Sequence, residues 1–280
     1  MEDALLHLSD AVPSWKHFRR LRGELTGLIE GMGASAESLA AARLDDACSG
    51  KINFPDAYIL KRLLERYRPA TILEVGSFVG FSTRWLLENS AGWNAKLTAV
   101  DPNIRHRSVD DPGEILRAFN AQFLPERLEV IEGFFGAPGA CYHDYETFEP
   151  KQDRAFVDRL IAQRQHIGPG WERRFDFIFI DGDHGYKAVK ENFEIAVDCL
   201  NPNGCIAFHD VLSWAGVRQA LDEIKQNFAG RAEVKIFGRL DRSILQGIFG
   251  KTSSGIGFFR FKPGQTPVSS TREVRAAQPA

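Results

Sequence analysis

From residue 71 onward the chain alternates between short unbroken apolar runs and stretches with an apolar stripe of helical period. TILEV, KLTAV, RLEVI, FDFIFI and GCIAF are five runs of strand length, and amphipathic segments separate most of them. An apolar run without alternation is how a strand reads when both faces of its sheet are covered by helices. The helical side is clearest after FDFIFI, where Val189, Phe193, Ala196, Val197 and Leu200 form one stripe that Asn201-Pro202-Asn203-Gly204 ends. Another stripe carries Val217, Leu221, Ile224 and Phe228. VKIF and GIGFFRF then follow, joined by about 18 residues without a helical pattern, which suits an antiparallel pair better than a crossover.

The pattern predicts an α/β fold: a doubly wound, seven-stranded Rossmann-like sheet whose last strand is antiparallel. Ahead of it, residues 1–50 form a helical cap, with Leu21, Leu25, Leu28 and Ile29 at spacings of three and four. DAYILKRLLERYR begins the main domain, residues 51–263, as a helix stopped by Pro69. About 43 residues separate RLEVI from FDFIFI, more than a crossover uses, so an insertion is expected near 134–172. Residues 264–280 are small and polar and read as a disordered tail.

Composition narrows the class. With Lys+Arg 35 against Asp+Glu 37 the formal charge is -2, which gives no support to nucleic-acid binding by bulk charge. No apolar stretch approaches the roughly 18 residues of a membrane span, and the acidic MEDALLHLSD lacks the features of a signal peptide. Neither a membrane partner nor nucleic acid is expected, the cytoplasm is the expected compartment, and homo-oligomerisation is left open. Cys48, Cys141, Cys199 and Cys205 show no paired spacing and read as small core residues.

The chemistry gathers where strands end. Glu74-Val75-Gly76-Ser77-Phe78-Val79-Gly80 places an acid in the first strand and two glycines in the turn that opens the next helix. Glycines let such a turn approach a ligand, and the helix behind it offers free N–H groups. A dinucleotide fingerprint needs a third glycine, and Glu74 would repel a pyrophosphate but welcome an ammonium. Asp101 ends the second strand, where an acid accepts from ribose hydroxyls. A cationic ligand with a ribose and no phosphate fits both acids, and S-adenosylmethionine has that description. Asp181 follows FIFI and His209-Asp210 follows CIAF, so these groups leave neighbouring strands and can converge on one ion.

LEVGSFVGFST, AVDPN, FDFIFIDGDHGY and LNPNGCIAFHD together resemble class I S-adenosylmethionine-dependent methyltransferases, in particular the metal-dependent sugar and small-molecule O-methyltransferases. The resemblance covers roughly residues 52–262, and the pair IDGDH and FHD is its most specific part. It implies O-methyl transfer to a small-molecule hydroxyl, a sugar or natural-product intermediate. It also implies a cofactor site at Glu74, Gly76, Ser77, Gly80, Asp101, Gly133 and Phe134, although Phe134 stands where the family often has a polar residue. Asp181 and Asp210 match the metal ligands of that family, and His184 matches its general base, three residues after the metal aspartate. His209 departs from the family's oxygen ligands; as a third ligand its nitrogen would shift preference from Mg²⁺ towards Mn²⁺, Fe²⁺, Co²⁺ or Zn²⁺.

Plainer readings stand beside these. Asp181, Asp183 and Asp210 can cap the helices that follow. His209 can be hydrogen-bonded structure, and Tyr142, His143, Tyr145 and His166 can be lid or surface residues of the insertion. Trp15, His17, Arg19, Arg20 and Arg22 read as a solvated helix face. Three other functions remain: a nicotinamide oxidoreductase, a metal-dependent oxygenase on the same scaffold, and a methyltransferase-like module that binds without turnover.

Overall fold

The computed structural model describes residues 8–32, 52–104, 109, 111–138, 154–238 and 253–265. In chain order the elements are α1 (Leu8–Gly31), α2 (Phe54–Tyr67), β1 (Thr71–Val75), α3 (Phe81–Asn89), β2 (Lys96–Asp101), α4 (Pro112–Phe119), β3 (Leu128–Phe135), α5 (Arg154–Ala162), β4 (Gln165–Ile167), β5 (Phe175–Ile180), α6 (Tyr186–Asp198), β6 (Leu200–Phe208), α7 (Ala215–Asn227), β7 (Ala232–Phe237) and β8 (Ile256–Phe261). Among the described residues no helix is long and apolar enough to cross a membrane.

The strands form one sheet in the order β4-β3-β2-β1-β5-β6-β8-β7. Pairings from β4 to β6 are parallel, and β8 runs antiparallel to both β6 and β7. The expected seven strands are therefore eight. The extra one, β4, lies in the segment between β3 and β5 where an insertion is expected, and pairs with the end of β3 through Gly133, Phe134 and Phe135. Its three residues alternate too briefly to register as a strand in the sequence. The asparagine-rich turn placed before GCIAF is a second correction: β6 already starts at Leu200, and its pairing with β5 is irregular between Phe175 and Phe177. Leu200 thus belongs to the strand, not to the stripe of α6.

Helices cover both faces. Phe177 and Phe179 of β5 point into a cluster with Leu21, Leu25, Phe54, Leu60 and Trp85 from α1 to α3. Ile178 and Ile180 point the other way, onto Val189 and Phe193 of α6 and Leu221 of α7. Strand alternation with an apolar residue on each side is why β5 reads as an unbroken run. The Trp85 indole is fully buried, and its N–H donates to the Ala57 carbonyl at 2.7 Å, which ties α3 to α2. Helix α2 starts where the Asn53 side chain accepts from the Asp56 N–H at 3.1 Å and ends at Arg68 in the left-handed region.

The basic face of α1 is less solvated than its composition implies. Trp15 packs edge-on against Phe54 with ring centroids 4.9 Å apart, and His17 and Arg20 both reach Glu88 of α3 at 2.7 and 2.6 Å. This cap is docked on the sheet's helical layer. Cys48, Cys141, Tyr142, His143, Tyr145 and residues 266–280 lie outside the described residues, while Cys199 and Cys205 are free and buried as expected.

Candidate active site

In a doubly wound sheet the carboxyl ends of the parallel strands open onto a crevice, and the residues singled out by motif leave the sheet there. Gly76 shows why the turn after β1 needs glycine. Its φ is +84°, and a Cβ at this position would lie 2.3 Å from the Asp181 carbonyl oxygen and 2.8 Å from the Gly182 Cα. Glycine therefore lets the turn after β1 touch the turn after β5. Gly80 is also left-handed and opens α3, and its carbonyl accepts from the Asn120 amide at 3.1 Å.

Asp101 organises this loop. One carboxylate oxygen accepts from the Ser77 and Phe78 N–H groups at 2.8 and 2.9 Å, and the other from the Asn103 N–H at 2.8 Å. Phe78 has a φ of +47°, costly for a bulky residue, and the hydrogen bond its N–H donates to Asp101 helps hold it there. Burial raises the Asp101 carboxyl above its ordinary range despite these three donors. Glu74 is fully buried under the same loop, where Thr83 donates to one of its oxygens. Burial, reinforced by the negative charges of Asp181 and Asp101, outweighs donors from Ser82 and Thr83 and pushes its carboxyl up to about 8.

After β5 and β6 the chain brings a second group together. Asp181, His184 and Asp210 each offer one ligand atom, and these atoms lie within 4.8 Å of one another at half-buried positions. His184 Nε2 sits 2.9 Å from Asp210 Oδ2, out of line for a hydrogen bond, and its ring stacks on Trp214 at 4.7 Å. Asp210 adopts a φ of +62°, and its carbonyl accepts from the Ser213 and Trp214 N–H groups at 3.0 and 2.9 Å, fixing the turn. Burial alone would raise the Asp210 carboxyl, but His184 and His209 beside it hold it below its ordinary value. Asp181 is raised by burial, which the neighbouring His209 only partly offsets.

His209 is placed differently from the ligand role expected of it. Its ring is 6% exposed and lies between two carboxylates, with Nδ1 2.8 Å from Asp181 Oδ1 and Nε2 3.2 Å from Asp56 Oδ2. Both nitrogens are engaged by carboxylates, although Nδ1 also lies 3.7 Å from Asp210 Oδ2, and the nitrogen left unpartnered beside Asp181 and Asp210 is that of His184. A one-nitrogen, two-carboxylate set fits a divalent cation such as Mn²⁺, Fe²⁺, Co²⁺ or Zn²⁺, and the buried, unpartnered His184 Nε2 is the atom such an ion would satisfy. Gly133 and Phe134 stand where β3 pairs with β4. A Cβ on Gly133 would meet the Gln165 carbonyl at 2.6 Å, so this glycine admits β4, and Phe134 packs with Ile104 and Ile161. His166 faces Phe134 and lies 3.2 Å from the Ile161 carbonyl, in keeping with a structural role. Asp183 accepts from the Gly185 N–H at 2.6 Å and closes the turn after β5.

Sequence reasoning missed Asn103 and Asp56. Among the described residues the buried side-chain atoms without a hydrogen-bond partner are Glu74 Oε1, Ser77 Oγ, Asn103 Nδ2 and Oδ1, Asn120 Oδ1 and His184 Nε2. Each such atom costs about 1–3 kcal/mol. All of them belong to residues at the ends of β1, β2 and β5 or, for Asn120, to the side chain that holds Gly80.

The unsatisfied polar groups around the glycine turn make the carboxyl edge of this sheet the candidate ligand site. Residues 73–211 match the family described as "Methyltransferase domain", and the chain is a class I, S-adenosylmethionine-dependent methyltransferase. Two solved structures share the fold. The SAH-bound methyltransferase PaMTH1 of Podospora anserina is 14% identical, with a TM-score of 0.52 over 92% of this chain and 97% of its own. The O-methyltransferase of Bacillus cereus, in complex with SAH, is 17% identical, with a TM-score of 0.50 over 87% of this chain and 91% of its own. No curated protein sequence matches the chain.

Proposed function

We propose that this enzyme transfers a methyl group from S-adenosylmethionine to a hydroxyl of a small molecule, in the cytoplasm. The observation that carries the reading is the set of unpartnered buried polar atoms around the loop 76–80, beside the Asp181, His184 and Asp210 group. Glu74, Gly76, Ser77, Gly80 and Asp101 shape the cofactor cradle. A methionine ammonium is the donor that the orphaned Glu74 oxygen lacks, and the Ser77 hydroxyl and Asn103 amide supply further polar contacts. Both structural neighbours named above carry SAH, the product this reaction would leave.

The methyl group arrives already activated as a sulfonium, so the protein has to align the acceptor and remove one proton. The acceptor O–H gives its proton to His184 Nε2, its lone pair attacks the methyl carbon, and the C–S bond electrons return to sulfur as a neutral thioether. Asp210, 2.9 Å from that nitrogen, stabilises the imidazolium that forms. A second reading rests on the same atoms: Asp181, His184 and Asp210 would hold a divalent cation, which lowers the pKa of a bound hydroxyl. The two roles exclude one another for His184 Nε2.

Calorimetry with S-adenosylhomocysteine (SAH) tests the cofactor, and transfer of a labelled methyl group to a panel of hydroxyl acceptors, with and without exhaustive chelation, tests the chemistry. Binding of NAD but not SAH would overturn the proposal. Loss of turnover on chelation that Mn²⁺ restores selects the cation reading, and full turnover after chelation selects His184 as base.

A further inference from the structure

Asp56 is 0% exposed in the first turn of α2, 153 positions before His209, and no sequence motif points to it. Its carboxylate is surrounded by donors. One oxygen accepts from the Ser253 hydroxyl and, at 3.3 Å, from the Gly255 N–H; the other accepts from the Ser254 N–H at 2.9 Å and lies 3.2 Å from His209 Nε2. The opposite nitrogen of that ring lies 2.8 Å from Asp181 Oδ1. The segment before β8 also reaches the turn that carries Asp210, since the Leu212 N–H donates to the Ser254 carbonyl at 2.7 Å, and the Ser254 hydroxyl accepts from the Asn53 amide at 3.2 Å.

We propose that Asp56 is a positioning residue of the active site, holding Asp181 in its orientation through the buried ring of His209. A ring tethered at one nitrogen can tilt or flip about its side-chain torsions, whereas one tethered at both by carboxylates has a single orientation. A carboxylate-imidazole-carboxylate chain thus runs from the start of α2 and the segment before β8 to the end of β5. It makes the N-terminal part of the domain, outside the matched family segment 73–211, part of the site's geometry. The inference rests on the proposed reading that Asp181, with His184 and Asp210, belongs to the catalytic group.

The test uses the full chain labelled with ¹⁵N at histidine, with His209 assigned by its absence in His209→Gln. The wild type should show two slowly exchanging ring N–H signals for His209. Asp56→Asn, which keeps the volume and an oxygen towards Ser253 and Gly255, should lose the Nε2–H signal. Asp56→Ala should also lose the Nδ1–H signal to exchange and bind Mn²⁺ about 10- to 100-fold more weakly, the usual cost of removing an outer partner of a metal ligand. SAH affinity within twofold of wild type shows that the variants are folded. Both ring signals unchanged in Asp56→Asn, or the Nδ1–H signal retained in folded Asp56→Ala, would overturn the proposal. A wild type that binds no Mn²⁺ removes the cation reading alone, because the ring signals still decide whether Asp56 holds His209.

Discussion

Replacing Gly76 by alanine probes the contact on which the site is built. Two effects add. A left-handed φ of +84° costs a residue with a Cβ about 1–2 kcal/mol. The new Cβ would also lie 2.3 Å from the Asp181 carbonyl oxygen and 2.7 Å from its carbon, backbone atoms that no side-chain rotation can move aside. Backbone displacement of this kind costs about 1–3 kcal/mol, so the sum is about 2–5 kcal/mol. At about 2–4 °C per kcal/mol for a chain near this size, the melting temperature should fall by about 4–20 °C. Gly230→Ala supplies the control: its φ is +81°, but nothing lies within 4 Å of the added Cβ, so it should carry the torsional cost alone. Urea denaturation of both variants separates the torsional from the steric contribution. SAH calorimetry should show affinity at least tenfold weaker for Gly76→Ala and unchanged for Gly230→Ala, because only the former pushes the loop 76–80 away from β5. Equal stability losses in the two variants, or unaltered SAH binding by Gly76→Ala, would refute the close approach as the reason for glycine.

Asp101→Ala leaves the N–H groups of Ser77, Phe78 and Asn103 without their acceptor and should weaken SAH binding about 10- to 100-fold; a dissociation constant within twofold of wild type would show that the loop holds its shape unaided. Glu74 gives a pH signature. Its folded-state pKa of about 8 lies above the ordinary 4.5, so its contribution to stability is complete below about pH 4.5 and is lost as pH rises through about 8. The melting temperature of the ligand-free wild type should therefore fall between pH 6 and 9 more than that of Glu74→Gln, and parallel curves would contradict the assignment. His184→Ala should lower turnover on any hydroxyl that the wild type methylates by about 10² to 10⁴ with SAH affinity intact, and near-normal single-turnover rates in a folded variant would move the proton transfer elsewhere.

Much of the fold was legible because each element carries its own periodic signal. FDFIFI and GCIAF are apolar on both faces, and the stripe of α6 repeats every three to four residues, so layer order followed from local pattern. The positions of Glu74, Gly76, Asp101, Asp181 and Asp210 were legible for the same reason: a strand end followed by a turn puts its side chains on the carboxyl edge whatever the rest of the chain does. The three-residue β4 had no such signal, and it takes Gly133 and Phe134 into sheet pairing and packing.

What the sequence by itself determined was which groups stand at the crevice; what only the tertiary structure decided was which of them face one another. His184 and His209 both follow strand ends, and nothing local distinguishes a ring that meets Asp210 across the crevice from one that is buried. The difference is made by Asp56, brought to His209 Nε2 by the packing of α2 against the sheet. In the same way, Asp101 suits a ribose from its position alone, yet the fold directs its carboxylate to three backbone donors of neighbouring turns. Hydrogen-bond partners far apart in sequence are set by how layers pack, and a linear pattern carries no record of that.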